Sequence, residues 1–308
     1  MSVVLGALFP IFLLIILGLA LRHWFIAEDA HWVGLEKLLY YVMFPALLVR
    51  TMARADLANV PVVAVGGTLF ASVLLMAGIC FLLRPLLARQ LGLDGPAFTS
   101  LFQGATRWQT FVVLAVVGNL FGDLGLALAS VAMVAMIPLL TVLCVWVLVH
   151  YASPGKPHWR DSLLAMVQNP FIWACVIGLA LNPIASAIPR PVDVFIDALG
   201  RSSLALGLLI VGAGLRPREL VHLRAVTLIA CALKLIVMPA IAIALARAAG
   251  LSGANLTVVA CCASVPAASN AYILARQMGG DAPLMAQILT VETVLAIVTM
   301  PIAIALVA

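Results

Sequence analysis

Charge is what this chain most lacks: 17 Lys and Arg and 12 Asp and Glu amount to 9% of its 308 residues. A soluble domain carries about 25% charged residues, and it needs polar groups to cover its surface. A water-facing globule is therefore excluded, and the bilayer is left as the solvent. Chemical signatures are missing as well. There is no Gly-rich phosphate loop, so ATP-driven work by this chain is not expected. There is no histidine–carboxylate metal cluster and no nucleophile motif in context, so neither an enzyme nor any cofactor or metal is expected. The six cysteines all fall inside apolar runs without ligand spacing and read as small buried hydrophobes. The five histidines are scattered in or beside loops and read as surface residues. No basic tract with interleaved aromatics occurs, which excludes nucleic acid as a partner. The net charge of +5 sits in short loops and points to anionic lipid headgroups. The first apolar run, Val3 to Leu21, is too long for a signal-peptide core and lacks a basic flank, so it is expected to be a span of the mature chain.

What the chain has in abundance is apolar length. Hydrophobic residues make up 65% of it, and its mean hydropathy is +1.21. A helix that crosses a bilayer needs about 20 mostly apolar residues. That rule predicts ten spans: 3–24, 36–53, 61–87, 96–119, 124–149, 162–182, 194–215, 224–247, 255–277 and 283–307. Turn-type stretches such as Gly92-Leu93-Asp94-Gly95-Pro96 and Ser153-Pro154-Gly155-Lys156-Pro157 separate them. Lys and Arg set the orientation. The odd-numbered connections and their flanks carry ten of them, the even-numbered ones five, which places the odd loops in the cytoplasm and both termini outside.

The chain also repeats itself. Pro10 and Gly18-Leu19-Ala20-Leu21 match Pro170 and Gly178-Leu179-Ala180-Leu181 at an offset of 160. Gly92-Leu93-Asp94-Gly95 matches Gly250-Leu251-Ser252-Gly253, and Gly122-Asp123 matches Gly280-Asp281, both at an offset of 158. The predicted organisation is a first five-helix repeat over 1–150, a cytoplasmic connection over 151–161 and a second repeat over 162–308. Five is odd, so the second repeat enters the membrane inverted. This is the architecture of secondary transporters, whose substrate site lies where broken helices meet near the midplane. The fourth and ninth spans are polar at depth. The fourth holds Gln103, Thr106, Arg107, Gln109 and Thr110; the ninth holds Ser264, Pro266, Ser269, Asn270 and Tyr272. Unwound backbone at that depth is tolerated where it is buried in protein or lines a cavity.

These residues resemble the auxin efflux carrier family, in its bacterial branch. The strongest signature is Val265-Pro266-Ala267-Ala268-Ser269-Asn270-Ala271-Tyr272-Ile273-Leu274-Ala275-Arg276, followed by Gly280-Asp281. Arg107-Trp108-Gln109-Thr110 with Leu120-Phe121-Gly122 is similar to its counterpart in the fourth span. There the chain departs from the pattern: Gln109 stands for the usual asparagine and Val116 near the usual proline. The resemblance implies an all-α integral membrane fold of ten helices in two inverted five-helix repeats, with discontinuous helices 4 and 9 crossing. It also implies a mobile unit of spans 3–5 and 8–10 against a scaffold of spans 1, 2, 6 and 7. Organic anions such as mono- or dicarboxylates are the implied substrates, held near the crossing, in a bacterial cytoplasmic membrane.

Among candidate site residues, Arg107 lies near the midplane, where it serves either as a fork for a carboxylate or as a tie to helix-end carbonyls. Gln109, Thr110, Pro266, Ser269 and Asn270 are the remaining candidates for substrate contact. Ser269 and Asn270 have an alternative role in satisfying amides freed by Pro266. Lys234 and Glu292 fall at similar depth and are expected to form a buried ion pair, structural or proton-coupling, with Glu292 as the carrier. Asp123 and Asp281 read as turn acids. Gly207, Gly212 and Gly214 offer a small-residue face on which a second copy of the chain could pack. Two other readings remain open: a sodium-coupled bile-acid-type symporter, and a membrane sensor or structural subunit without transport.

Overall fold

Without water, every backbone amide has to be satisfied inside the protein, and an apolar chain meets that demand by forming helices. The computed structural model describes residues 2–55, 61–152, 170–220 and 223–307. All regular structure among them is helical. In chain order the helices are α1 (Ser2–Trp24), α2 (Asp29–Arg54), α3 (Val62–Leu91), α4 (Gly95–Thr106), α5 (Thr110–Tyr151), α6 (Pro170–Leu181) and α7 (Arg190–Ala213). They continue as α8 (Ala225–Ala248), α9 (Gly253–Ser264), α10 (Asn270–Gln277) and α11 (Ala282–Ala305).

Seven stretches among the described residues are long and apolar enough to cross a membrane, against the ten predicted. The difference has local causes. The stretch Gly95–Tyr151 is 57 residues long, but the chain reverses inside it at Gly122, whose φ of 56° and ψ of −137° suit only glycine. A Cβ on Gly125 would overlap the Val117 carbonyl oxygen, and one on Gly118 would touch Leu126. Residues eight apart meet only where a helix has folded back. The predicted sixth span begins outside the described residues and is seen from Pro170 onward. The predicted ninth is split by a non-helical segment, Val265–Ser269, leaving α9 and α10 both short.

Proline shapes two other helices. In α2 a π-turn, Leu39–Met43, precedes Pro45, and in α8 another, Leu233–Val237, precedes Pro239. A proline ring clashes with the carbonyl four residues before it, and a widened turn relieves that clash.

The helices sort into two packed groups. In the first, α1 lies along α7, and α2 packs on α6 and α7. In the second, α3, α4, α5, α8, α9 and α11 pack on one another. The first group is held by close backbone approach. A Cβ on Gly212 would overlap the Ile15 carbonyl oxygen, one on Gly18 the Leu209 carbonyl, and Gly178 and Gly200 press on α2. Of the face proposed from sequence for a second copy, Gly207 packs on Phe111 and Gly212 on Ile15 of the same chain. These two glycines therefore serve packing within the chain.

Polar ties finish the ends. Arg50 bridges Asp193 (3.4 Å) and Asp197 (2.9 Å), and Arg54 bridges Asp193 (3.3 Å), joining α2 to α7. The Asn182 amide donates to the carbonyls of Met52, Ala53 and Ala55, which closes the C-terminal end of α2. Asp94 caps α4 through the Ala97 amide, and Asp281 caps α11 through the Leu284 amide. Asp281 also pairs with Arg224 at 2.6 Å, so it is more than a solvated turn acid.

Gly212→Ala is expected to cost roughly 1–3 kcal/mol or more, because the new methyl meets backbone and not a movable side chain. Gly67→Ala, with open space around it, is expected to change stability little or raise it slightly. Thermal unfolding of both variants in the same detergent distinguishes the two sites.

Candidate functional site

The two broken helices meet at their breaks. After Thr106 the chain runs extended through Arg107 (φ −71°, ψ 156°) to Gln109 (φ −86°, ψ 96°) before α5 begins. After Ser264 it runs extended at Val265 (φ −70°, ψ 152°) through Pro266. Only the second break contains a proline; the first forms without one. What holds the first open is its partner. The Gln109 amide donates to the Pro266 carbonyl at 2.8 Å, and the Gln109 side-chain amide donates to the Ser269 hydroxyl at 2.8 Å. Backbone groups released from one helix thus find acceptors released from the other.

Beside this junction lies a cavity of about 310 Å³. Arg107, Trp108 and Thr110 line it from the first break, Ala268, Asn270 and Leu274 from the second, and Ile137, Leu140, Thr141 and Val145 from the long arm of α5. Tyr40 and Phe171 reach it from α2 and α6, with their rings 4.7 Å apart. The candidate residues therefore separate. Arg107, Thr110 and Asn270 are at the cavity wall. Gln109, Pro266 and Ser269 are bonded to one another across the junction and are not among its lining residues.

Arg107 has no carboxylate within 4 Å among the described residues. Its nearest polar neighbours are the Gln103 side-chain oxygen, at a long 3.4 Å, and the Cys144 thiol. The half-buried guanidinium is therefore left with unused donors beside a cavity that also holds the hydroxyls of Tyr40, Thr110 and Thr141 and the Asn270 amide.

Residues 159–304 match the family described as membrane transport protein. The match covers a little under half of the chain, its C-terminal part, and makes that part similar to membrane transport proteins. It is also similar to an uncharacterized transporter of Methanothermobacter thermautotrophicus, 24% identical over 300 residues and covering 94% of each chain. With seven helices among the described residues long and apolar enough to cross a membrane, the chain is a multi-pass membrane protein similar to transporters, and its broken helices are read in that light below.

The direct ion pair expected between Lys234 and Glu292 is not formed. Both side chains are fully buried, yet no N···O distance of 4.0 Å or less joins them. The reason is a competing partner: Glu292 Oε2 accepts the Ala267 amide at 2.8 Å, one of the donors set free by the second break. Its other oxygen lies against Gly104, one turn before Arg107.

Sequence reasoning did not single out Tyr40, Thr141 or Cys144. They come from helices far along the chain, and a lone tyrosine, threonine or cysteine in an apolar run carries no periodic signal. The π-turn that carries Tyr40 follows from Pro45 and was the one available clue.

Gln109→Ala removes the side-chain half of the junction and is expected to cost about 1 kcal/mol, the usual net worth of one hydrogen bond. Ser269→Ala added to it should cost almost nothing further, because both substitutions delete the same bond. Thermal midpoints of the two single variants and the double variant test this.

Proposed function

We propose that this protein is a transporter that carries small organic anions, mono- or dicarboxylates, across the cytoplasmic membrane by alternating access. The observation that carries the reading is Arg107, a guanidinium at the cavity wall with no carboxylate within 4 Å among the described residues to neutralise it. A charge at membrane depth costs about 3 to more than 10 kcal/mol, and an arriving carboxylate removes much of that cost. A guanidinium binds it through two parallel N–H donors. The volume of about 310 Å³ is near the lower end for ligand pockets, roughly 300–1,000 Å³, and suits a small solute.

The proposed architecture is ten spans in two inverted repeats, with the breaks in α4–α5 and α9–α10 as corresponding points. The second packed group, with α10, is the moving unit, and α1, α2, α6 and α7 are the scaffold. The cavity fits that division, since its wall draws on both groups. Contacts between the groups are the kind that slide or break. Gly207 presents a bare helix surface to the Phe111 ring. Arg216, just past α7, stacks 4.5 Å over the Tyr272 ring of α10 and donates to its hydroxyl at 2.9 Å. Such a contact is suited to latching one end of the pathway, which the Lys and Arg distribution assigns to the cytoplasmic side, with both termini outside.

Liposomes containing the purified protein should take up labelled mono- or dicarboxylates saturably. Arg107→Ala should weaken that uptake about 30-fold or more, the effect of losing ~2 kcal/mol from a desolvated charge pair, while eluting as folded protein from size exclusion. Saturable uptake unchanged by Arg107→Ala would remove Arg107 from the site, and no uptake of any carboxylate would remove the substrate class.

A further inference from the structure

Among the described residues, Lys234 and Glu292 are the fully buried charged residues, and neither lines the proposed substrate cavity. Each is fully buried, and Lys234 Nζ and Glu292 Oε1 have no hydrogen-bond partner among the described residues. Native proteins leave few buried polar atoms unpaired, and each such case asks for an explanation. Here two occur on opposite charges within electrostatic reach of each other, inside the proposed moving unit. A pair built for stability would close to contact and satisfy its remaining atoms. This one stands apart, with one carboxylate oxygen committed to the Ala267 amide.

Among the described residues, no other charged side chain interacts with Lys234 or Glu292. From α8 itself the titratable neighbour is Cys231, and from α9 it is Cys262, with Cys261 beside it. The face of α4 against Glu292 is Gly104. Arg247, at the far end of α8, donates to the Leu306 carbonyl. At the start of α11, Asp281 is paired with Arg224.

We propose that Lys234 and Glu292 together form a one-proton site that couples carboxylate transport to proton movement. The proposal rests on the carboxylate reading above. Charge balance sets the stoichiometry. With a monocarboxylate on Arg107, the guanidinium is neutralised, and the moving unit is neutral when the pair holds one proton, as a Glu292 carboxylic acid beside a neutral Lys234 amine. With the cavity empty, Arg107 carries +1, and the unit is neutral when the pair has released that proton and carries −1. Net charge in the membrane is heavily penalised, so both legs of the cycle favour these states. One proton is taken from water on the loading side with each monocarboxylate and returned to water on the other side.

A path of direct bonds joins the two sites. Glu292 holds the Ala267 amide; the adjacent Pro266 carbonyl holds the Gln109 amide, two residues from Arg107. Ala268 and Asn270, next along the chain, line the cavity. A change of charge on Glu292 alters the bond that fixes the second break, and the cavity wall is the continuation of that break.

The experiment uses the purified full chain in liposomes. Monocarboxylate uptake should accumulate about tenfold per unit of imposed pH gradient, be unaffected by a potassium–valinomycin potential, and move protons recorded by an internal pH dye. Glu292→Gln should lose gradient-driven accumulation yet still exchange internal for external carboxylate. Accumulation by Glu292→Gln equal to wild type, or wild-type uptake that follows potential and ignores pH, overturns the proposal. If Glu292→Gln does not fold, the wild-type dye signal decides: carboxylate uptake without proton movement overturns it. Infrared spectra of the lipid-embedded protein separate this failure from failure of the carboxylate reading. A carboxylic-acid band that titrates and is missing from Glu292→Gln supports the proton site even where no carboxylate moves. Its absence removes the site even where carboxylates do move.

Discussion

The bond from the Gln109 amide to the Pro266 carbonyl is the constraint on which the rest of the centre depends. Two helices are interrupted inside an apolar body, and each interruption frees amides and carbonyls that lipid cannot satisfy. By meeting, the breaks satisfy each other, and the polar side chains that follow them in sequence are brought to one place. Arg107, Thr110 and Asn270 face a common cavity because their backbones are held at this junction. Had the breaks been apart, each would have needed its own supply of donors and acceptors.

The same scarcity of polar partners orders the buried charges. Near the ends of the helices, charges pair closely: Arg50 and Arg54 with Asp193 and Asp197, and Arg224 with Asp281. In the interior, Arg107, Lys234 and Glu292 have no such contact among the described residues. Close pairs at the ends hold helices together, whereas unpaired charges in the interior cost energy, which is the ground for proposing that a ligand and a proton complete them. The glycines divide in a similar way. Those of α1 and α7 remove space so that backbones touch, and Gly122 permits a reversal no other residue would adopt without strain.

Much of this was legible from composition and pattern. The near absence of charge forced a membrane protein, and polar residues at Arg107-Trp108-Gln109-Thr110 and at Pro266 to Asn270 marked the segments that turn out to be unwound. Gly122-Asp123 and Gly280-Asp281 stood out as a repeat; the backbone requires glycine at Gly122, with φ 56°, whereas in the second pair's turn it is the preceding Gly279 that has the positive φ, 79°. The Lys234–Glu292 pair was expected in direct contact, and both residues are buried without one. Depth follows from a rise of about 1.5 Å per residue, but a carboxylate's choice of partner depends on an amide that another helix break sets free. The small-residue face of α7 was likewise visible, whereas its partners, Phe111 and Ile15, were not.

Sequence by itself determined the solvent, the helices, the breaks and the kinds of residue available for an anion, because each depends on neighbours along the chain. Hydropathy, proline and glycine act over one or two turns. Tertiary structure decided which of those residues share a cavity and which hold the junction. Gln109 and Thr110 are adjacent in sequence, yet one bonds to Ser269 and the other lines the cavity. It also brought Tyr40, Thr141 and Phe171 to the wall from three separate helices. The reason is physical: in an apolar body every buried polar atom competes for a few partners, and that competition is settled only once all the helices are packed.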